Sequence, residues 1–388
     1  MKKYIIGLVI TVLLISFTNL EVFAEEKGDL SLAEEAKSAM LIEQSTGRLI
    51  FEKNPHEKLP PASLTKVMTL LLVMEELHHE KLALDESVRV SERAASMGGS
   101  QVFLAAGEEI TVEDLLKSIA IASGNDASVA IAERISGSEE AFVDRMNEKV
   151  KELGLKNTNF KNSSGLPAKD HYSSAYDLAM ISKELLKYEN ITNYTSIYED
   201  YLRKGEENEF WLVNTNKLVR FYDGVDGLKT GFTREAKYGL AATAKKDNMR
   251  IIAVTMGAET VKKRNAMVSQ MLDYSFNHYS THRLYEKNEV IETIDNLKSK
   301  EEEIKVITEY PISVLHKKGE ELEDYYTEVH LKDAIDLPIN RGEVVGLLQV
   351  MKGHEKISVH PLTVERDIKN ASYFDLIKRS LKKLLNLN

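Results

Sequence analysis

The period of the apolar positions changes several times along the chain. Residues 39–43 and 48–52 are short apolar segments on either side of Ser45-Thr46-Gly47, which predicts a β-hairpin. After Pro60-Pro61, Val67, Leu70, Leu71, Met74 and Leu77 recur at helical spacing, which predicts a helix over 64–77. Further helices are predicted over 111–122, 127–135, 139–153 and 175–186, the first opened by a Thr111…Asp114 capping pattern. Period two returns over 229–233, 237–245 and 250–257. The links between these strands are so short that consecutive strands must be antiparallel. A closing helix is predicted over 259–279. Strands, a helical insert, strands and a helix together predict an α+β domain, an antiparallel sheet carrying helices. Beyond Leu284 the runs 290–294, 305–310, 325–331, 344–351 and 357–364 are short and β-like with Gly or Pro between them, which predicts a small all-β domain. The expected organisation is therefore a leader over 1–24, a main domain over 25–282, a small β-rich domain over 283–366 and a terminal helix over 371–388.

Composition narrows the possibilities. The 388 residues carry 51 Lys+Arg against 61 Asp+Glu, a formal net charge of −10, with 43% hydrophobic residues, so the chain is globular rather than disordered. An acidic balance argues against nucleic acid as a partner, because that affinity rests on neutralising phosphates. The absence of Cys excludes disulfides, thiol catalysis, iron–sulfur clusters, cysteine-bound zinc and a lipidated cysteine. Lys2 and Lys3, the apolar run 5–17 and Val22-Phe23-Ala24 compose a secretory signal, and its apolar run is shorter than the roughly 20 residues a membrane span needs. Export to the extracytoplasmic side follows. At the other end, Phe374, Ile377, Leu381, Leu384 and Leu385 fall on one helical face, with Lys378, Arg379, Lys382 and Lys383 on the opposite one. Such a basic amphipathic helix suits adsorption to an anionic membrane surface, the alternative being a helix packed on its own domain.

Three short motifs carry candidate chemistry. Ser63 and Lys66 lie three apart at the start of the predicted helix, on one face, so the Lys66 amine can reach the Ser63 hydroxyl. A serine hydroxyl is a weak nucleophile until a base takes its proton, and a lysine serves when burial or a second cation lowers its pKa. Ser123-Gly124-Asn125 breaks the helix ending near Ala122 and can present Ser123 and Asn125 to a cleft. Lys229-Thr230-Gly231 opens a strand, where Lys229 and Thr230 can bind a carboxylate and Gly231 lets a substrate backbone approach. Singly the first two are unspecific: Ser-x-x-Lys recurs at Ser380–Lys383 and Ser-x-Asn at Ser275–Asn277, whereas Lys-Thr-Gly occurs once.

In this order the three form the set of penicillin-binding proteins and class A β-lactamases. With Pro61-Ala62-Ser63-Leu64-Thr65-Lys66-Val67-Met68-Thr69, Ile121-Ala122-Ser123-Gly124-Asn125-Asp126-Ala127 and Asp226-Gly227-Leu228-Lys229-Thr230-Gly231, the chain resembles the low-molecular-mass penicillin-binding proteins, the serine D-alanyl-D-alanine carboxypeptidases, and among them the sporulation-associated enzymes of endospore formers. Asn162-Ser163-Ser164-Gly165-Leu166-Pro167 also looks like a loop of that family. The resemblance implies a transpeptidase-like fold and peptidoglycan stem peptides as substrate. It implies Ser63 as nucleophile, Lys66 as its base, Ser123 and Asn125 as proton relay and substrate guide, and Lys229 and Thr230 as the carboxylate site. The backbone N–H groups of Ser63 and Phe232 would form the oxyanion hole. β-Lactams would acylate Ser63, and neither a metal nor an organic cofactor is called for.

Three alternatives share parts of this reading. A β-lactamase shares the motifs, but it is a smaller single domain, and no matching deacylation-glutamate loop is present. A transpeptidase or endopeptidase would use the same acyl-enzyme. A catalytically silent wall-binding scaffold would keep the fold without needing both Ser63 and Lys66. There is no His-Glu-x-x-His, no Gly-x-Ser-x-Gly and no Gly-Lys phosphate loop.

Overall fold

The computed structural model describes residues 31–384 apart from Leu297, Glu302, Asp333 and Ala334, with side chains to Arg379. The expected leader and the Leu381, Leu384 and Leu385 side chains lie outside the described residues. In chain order the strands begin with the hairpin β1 (Ser38–Glu43) and β2 (Leu49–Lys53). Two short antiparallel pairs follow, β3 (Ser87–Arg89) with β4 (Glu109–Thr111) and β5 (Glu199–Leu202) with β6 (Phe210–Val213). Then come β7 (Val225–Thr233), β8 (Lys237–Lys246) and β9 (Met249–Ala258). The central sheet has the order β2-β1-β9-β8-β7, antiparallel throughout.

Alternation along the strands divides the side chains between two cores. Ala39, Leu41, Leu240, Ala242, Ile251 and Ala253 face the helix Val261–His278, where Met267, Val268, Met271 and Leu272 cover them. Met40, Ile42, Ala241, Ile252, Val254 and Met256 face the helical insert. The sheet is therefore buried on both faces, which explains why β1 reads as a continuous apolar run rather than an alternating one. At the centre of the insert runs the helix Lys66–His78, buried without a break from Lys66 to Met74. A helix apolar on all sides is an interior helix, and the sequence Val67-Met68-Thr69-Leu70-Leu71-Leu72-Val73-Met74 gives it no polar stripe.

The helix predicted over 111–122 is two pieces, an α-helix Val112–Lys117 and a π-helical turn Ser118–Ala122. The chain then continues through β10 (Tyr279–Tyr285), β11 (Val290–Asp295), β12 (Glu303–Thr308), β13 (Ile312–Lys317), β14 (Tyr325–Leu331), β15 (Gly346–Lys352) and β16 (Glu355–Val364). Five of these form an antiparallel sheet β11-β12-β16-β15-β14, and β10 pairs with β13. Neither β10 nor β13 was anticipated from the sequence: β10 has no fully buried position to mark a period, and β13 follows directly on Pro311. β10 also runs across residue 283, where the sequence places a boundary. Its partner strand reaches into the main core through buried Leu315, whose carbonyl accepts from Arg48 Nη1 at 2.8 Å.

Candidate active site

Ser63 lies in a 3₁₀ turn, Ala62–Thr65, that feeds directly into the buried central helix. Two neighbours fix that turn by close approach. A Cβ on Gly165 (φ +88°) would fall 1.9 Å from the Ala62 carbonyl oxygen, so the 162–167 loop can cross here only with a glycine. A Cβ on Gly231 would fall 2.9 Å from the Pro61 oxygen and 3.1 Å from Leu64 Cγ. The bare Cα of Gly231 makes room for the nucleophile turn against β7, a demand that the sequence alone does not show. Ala62 (φ +48°) and Ser123 (φ +65°) both sit in the left-handed region, and backbone strain of this kind gathers where chemistry demands a fixed geometry.

Lys66 is completely buried, and its Nζ has three neighbours: Asn125 Oδ1 at 2.6 Å, the Ser164 carbonyl oxygen at 2.7 Å and Ser63 Oγ at 3.3 Å. Burial first, and the positive charge of Lys229 second, hold its pKa well below that of a free lysine, against a smaller opposing pull from Asp126. As a neutral amine Lys66 has two N–H groups, which the two carbonyl oxygens take, so its lone pair is left for the Ser63 hydroxyl.

Asn125 is held from outside as well. Its Nδ2 donates to the Gly98 carbonyl at 2.7 Å and its backbone N–H to Ser100 O at 2.7 Å. Asp126, buried, accepts from the backbone N–H groups of Val102 at 2.9 Å and Leu104 at 3.2 Å, which ties the 98–104 loop over the site. Ser123 is buried at the end of the π-helical turn, and among the described residues its hydroxyl makes no hydrogen bond.

From the opposite wall, β7 supplies Lys229 and Thr230. Lys229 is 1% exposed, and its nearest acceptor is the Thr230 carbonyl at 3.4 Å. Burial, then the nearby Arg264 guanidinium, bring its pKa down to about 7. Thr230 Oγ1 donates to Thr215 Oγ1 at 2.7 Å. Phe232, half exposed, stacks on Tyr238 with ring centroids 4.3 Å apart.

Hydrogen bonds thus join Ser63, Lys66 and Asn125 directly; Lys229 acts on Lys66 through its field, and Ser123 shares the Asn125 bend without touching Lys66. Sequence reasoning missed the Ser164 carbonyl, because a backbone acceptor has no side-chain signature. Asp126 was quoted only as part of a motif. Arg264, 3% exposed, hydrogen-bonds only to Asn265 and has no carboxylate among the described residues; within Lys262-Lys263-Arg264 nothing marks it out.

Comparison with known proteins places the chain in a family. Residues 24–260 match the family model for D-alanyl-D-alanine carboxypeptidase (peptidase S11). The chain belongs to that family. Residues 279–370 match the C-terminal domain of penicillin-binding protein 5. The D-alanyl-D-alanine carboxypeptidase DacF of Bacillus subtilis is 53% identical over 383 residues, covering 98% of each chain. DacC of Escherichia coli is 32% identical, covering 91% of this chain and 89% of the relative. Among solved structures, penicillin-binding protein 5 of Haemophilus influenzae superposes with a TM-score of 0.68 at 30% identity, covering 86% of this chain and 98% of that one. Penicillin-binding protein D2 of Listeria monocytogenes, in its ampicillin-bound form, matches 62% of this chain and 98% of its own at a TM-score of 0.57 and 30% identity. The fold is thus that of the penicillin-binding proteins and β-lactamases, followed by an all-β domain.

Proposed function

We propose that this carboxypeptidase removes the terminal D-alanine of peptidoglycan stem peptides through an acyl-enzyme on Ser63. Neutral Lys66 takes the Ser63 proton as Oγ attacks the carbonyl carbon of the penultimate D-alanine. Backbone N–H groups of Ser63 and Phe232 receive the oxyanion, one such donor contributing about 2.7–4 kcal/mol to the transition state. The C–N bond breaks, and the leaving nitrogen takes a proton from the Lys66 ammonium, with Ser123 placed to relay it. Lys229 and Thr230 hold the terminal carboxylate until D-alanine departs. Water then attacks the ester, Lys66 takes its proton, and Ser63 Oγ leaves reprotonated. A β-lactam acylates the same oxygen but keeps its leaving nitrogen tethered in the opened ring.

The observation that supports this reading best is the environment of Lys66 Nζ, buried and oriented by two carbonyl oxygens toward its third hydrogen-bond partner among the described residues, Ser63 Oγ. Labelling with a fluorescent penicillin tests it: wild type should label and Ser63→Ala should not. Labelling that persists in Ser63→Ala removes the nucleophile assignment. A pentapeptide ending in two D-alanines should release one D-alanine; a cross-linked peptide dimer instead would make the enzyme a transpeptidase.

We place the enzyme outside the cytoplasm, with its C-terminal helix on an anionic membrane surface. The helix Tyr373–Leu384 holds Tyr373 and Phe374 at 74% and 81% exposure, while Arg379 donates to the carbonyls of Ser299 and Lys300 at 2.6 Å each. Arg379 thus meets the backbone of the β-rich part, while Lys378 and the Tyr373 and Phe374 rings stay exposed. Among the described residues no helix is long and apolar enough to cross a membrane, so attachment would be peripheral.

A further inference from the structure

A cleft of about 600 Å³ lies where the central sheet's far corner meets the β-rich part, well separated in the fold from Ser63 and lined by neither catalytic motif. Five Lys or Arg residues line it against two Glu, in a protein whose overall charge is −10. The carboxylates do little to neutralise the cations. Glu43 spends both oxygens on the hydroxyls and backbone N–H groups of Ser45 and Thr46, four donors within 3.0 Å. Arg250 is matched bidentately by Asp226. Lys183 and Lys245 have no ion pair among the described residues, and Arg283 pairs through Nη1 with Glu286 at 3.1 Å while its buried Nε has no hydrogen-bond partner.

Lys183 comes from the helix Ala175–Leu185 and lies against Gly47 of the β1–β2 turn, while His360 enters from β16, its Nε2 2.9 Å from Ser358 Oγ. Burial pushes both toward their neutral forms, Lys183 against the opposing charge of Glu43, and His360 to about 4 with help from the charge of Lys183. Basic side chains from separate elements that line one cleft, two of the lysines without an ion pair among the described residues, suit an anion that can accept from several directions at once.

The geometry points to this cleft as a binding site for a phosphate group, either as the free ion or within a phosphodiester polymer, held by Lys183, Lys245 and Arg283 with His360. A tetrahedral oxyanion with several acceptor oxygens answers donors arriving from the helix, β8, β10 and β16, where a planar carboxylate answers two. Occupancy would clamp the two parts of the chain together, independently of how the distant peptidase site works.

The test is thermal unfolding of the full mature chain at constant ionic strength, titrated with inorganic phosphate, with a poly(glycerol phosphate) and with acetate. Wild type should gain about 2 °C at tenfold excess over the dissociation constant, saturably, with phosphate or the polymer but not with acetate. The tighter of the two phosphate compounds identifies the source. The double variant Lys183→Gln/Lys245→Gln and, from the other side, His360→Gln should lose most of the shift while releasing D-alanine at the wild-type rate, which shows that they are folded. An equal rise with acetate, a rise undiminished in both variants, or no rise with either phosphate compound overturns the assignment.

Discussion

Lys66 and Lys229 carry the same side chain into the same buried space and end with different tasks. Lys66 meets two carbonyl oxygens and a hydroxyl, so its neutral form is fully used. Lys229 meets one distant carbonyl, with Arg264 beside it, so it has a charge to offer and no anion to offer it to. In the proposed mechanism a substrate carboxylate would supply that anion. The cation is present below pH 7 and is lost as pH rises through its value of about 7, so KM for a D-alanyl-D-alanine peptide should climb as pH rises from 6 to 9, by roughly 10- to 100-fold if a charge-assisted bond is lost. A bound carboxylate raises the lysine's pKa again, so kcat should respond less over that range. Lys229→Arg should move the rise in KM upward, since a guanidinium keeps its charge. A KM that stays flat from pH 6 to 9 would remove Lys229 from carboxylate recognition. Lys66 lies on the other limb: its depressed pKa leaves it a base, and kcat/KM should fall as pH drops far enough to protonate it. Lys66→Gln should cut acylation by penicillin about 10²- to 10⁴-fold, the usual worth of a positioned base, measured as the labelling rate.

Three pieces of backbone hold these side chains: the 3₁₀ turn 62–65, the loop 162–167 and the π-helical turn 118–122. Their mutual fit is most exposed at Gly165. Gly165→Ala puts a methyl into the Ala62 carbonyl at a positive φ, so the loop must move and carry the Ser164 oxygen away from Lys66. The expected cost is about 1–3 kcal/mol of stability in urea unfolding, together with slower acylation. Unchanged stability and labelling would show that the close crossing is not needed. Much of this level was legible beforehand. The hairpin, the five sheet strands and the main helices follow from period and punctuation, and Ser63, Lys66 and Asn125 follow from motif spacing. What escaped has physical reasons. A π-helical turn has the same apolar spacing as the α-helix it ends, so 111–122 reads as one element. Gly231 is demanded by a neighbour 167 residues earlier in the chain, Leu64, which local spacing does not show. β10 lies half-covered against β13, so neither face leaves an apolar row.

At the scale of the molecule, the chain places a peptidase site on one body and a β-rich sheet with a terminal helix on the other. Arg379 fastens that helix to the backbone at Ser299 and Lys300, and Tyr373 and Phe374 stay exposed. A chain ending at residue 370 should therefore still release D-alanine from a soluble pentapeptide yet fail to sediment with vesicles containing anionic lipid. Sedimentation equal to that of the full chain would end the role of the tail. The central helix has a wider consequence. Because Lys66 through Met74 have no solvent face, the proposed general base is mounted on the rod that can open only when the whole domain does, whereas Asn125 arrives at the first turn of another helix and the Ser164 carbonyl on the loop 162–167. In hydrogen exchange the amides of 67–74 should be among the last to trade their protons, and those of 98–101 among the first. The enzyme would then breathe around a stationary anvil, opening and shutting its mouth without ever misplacing the amine that must meet the serine.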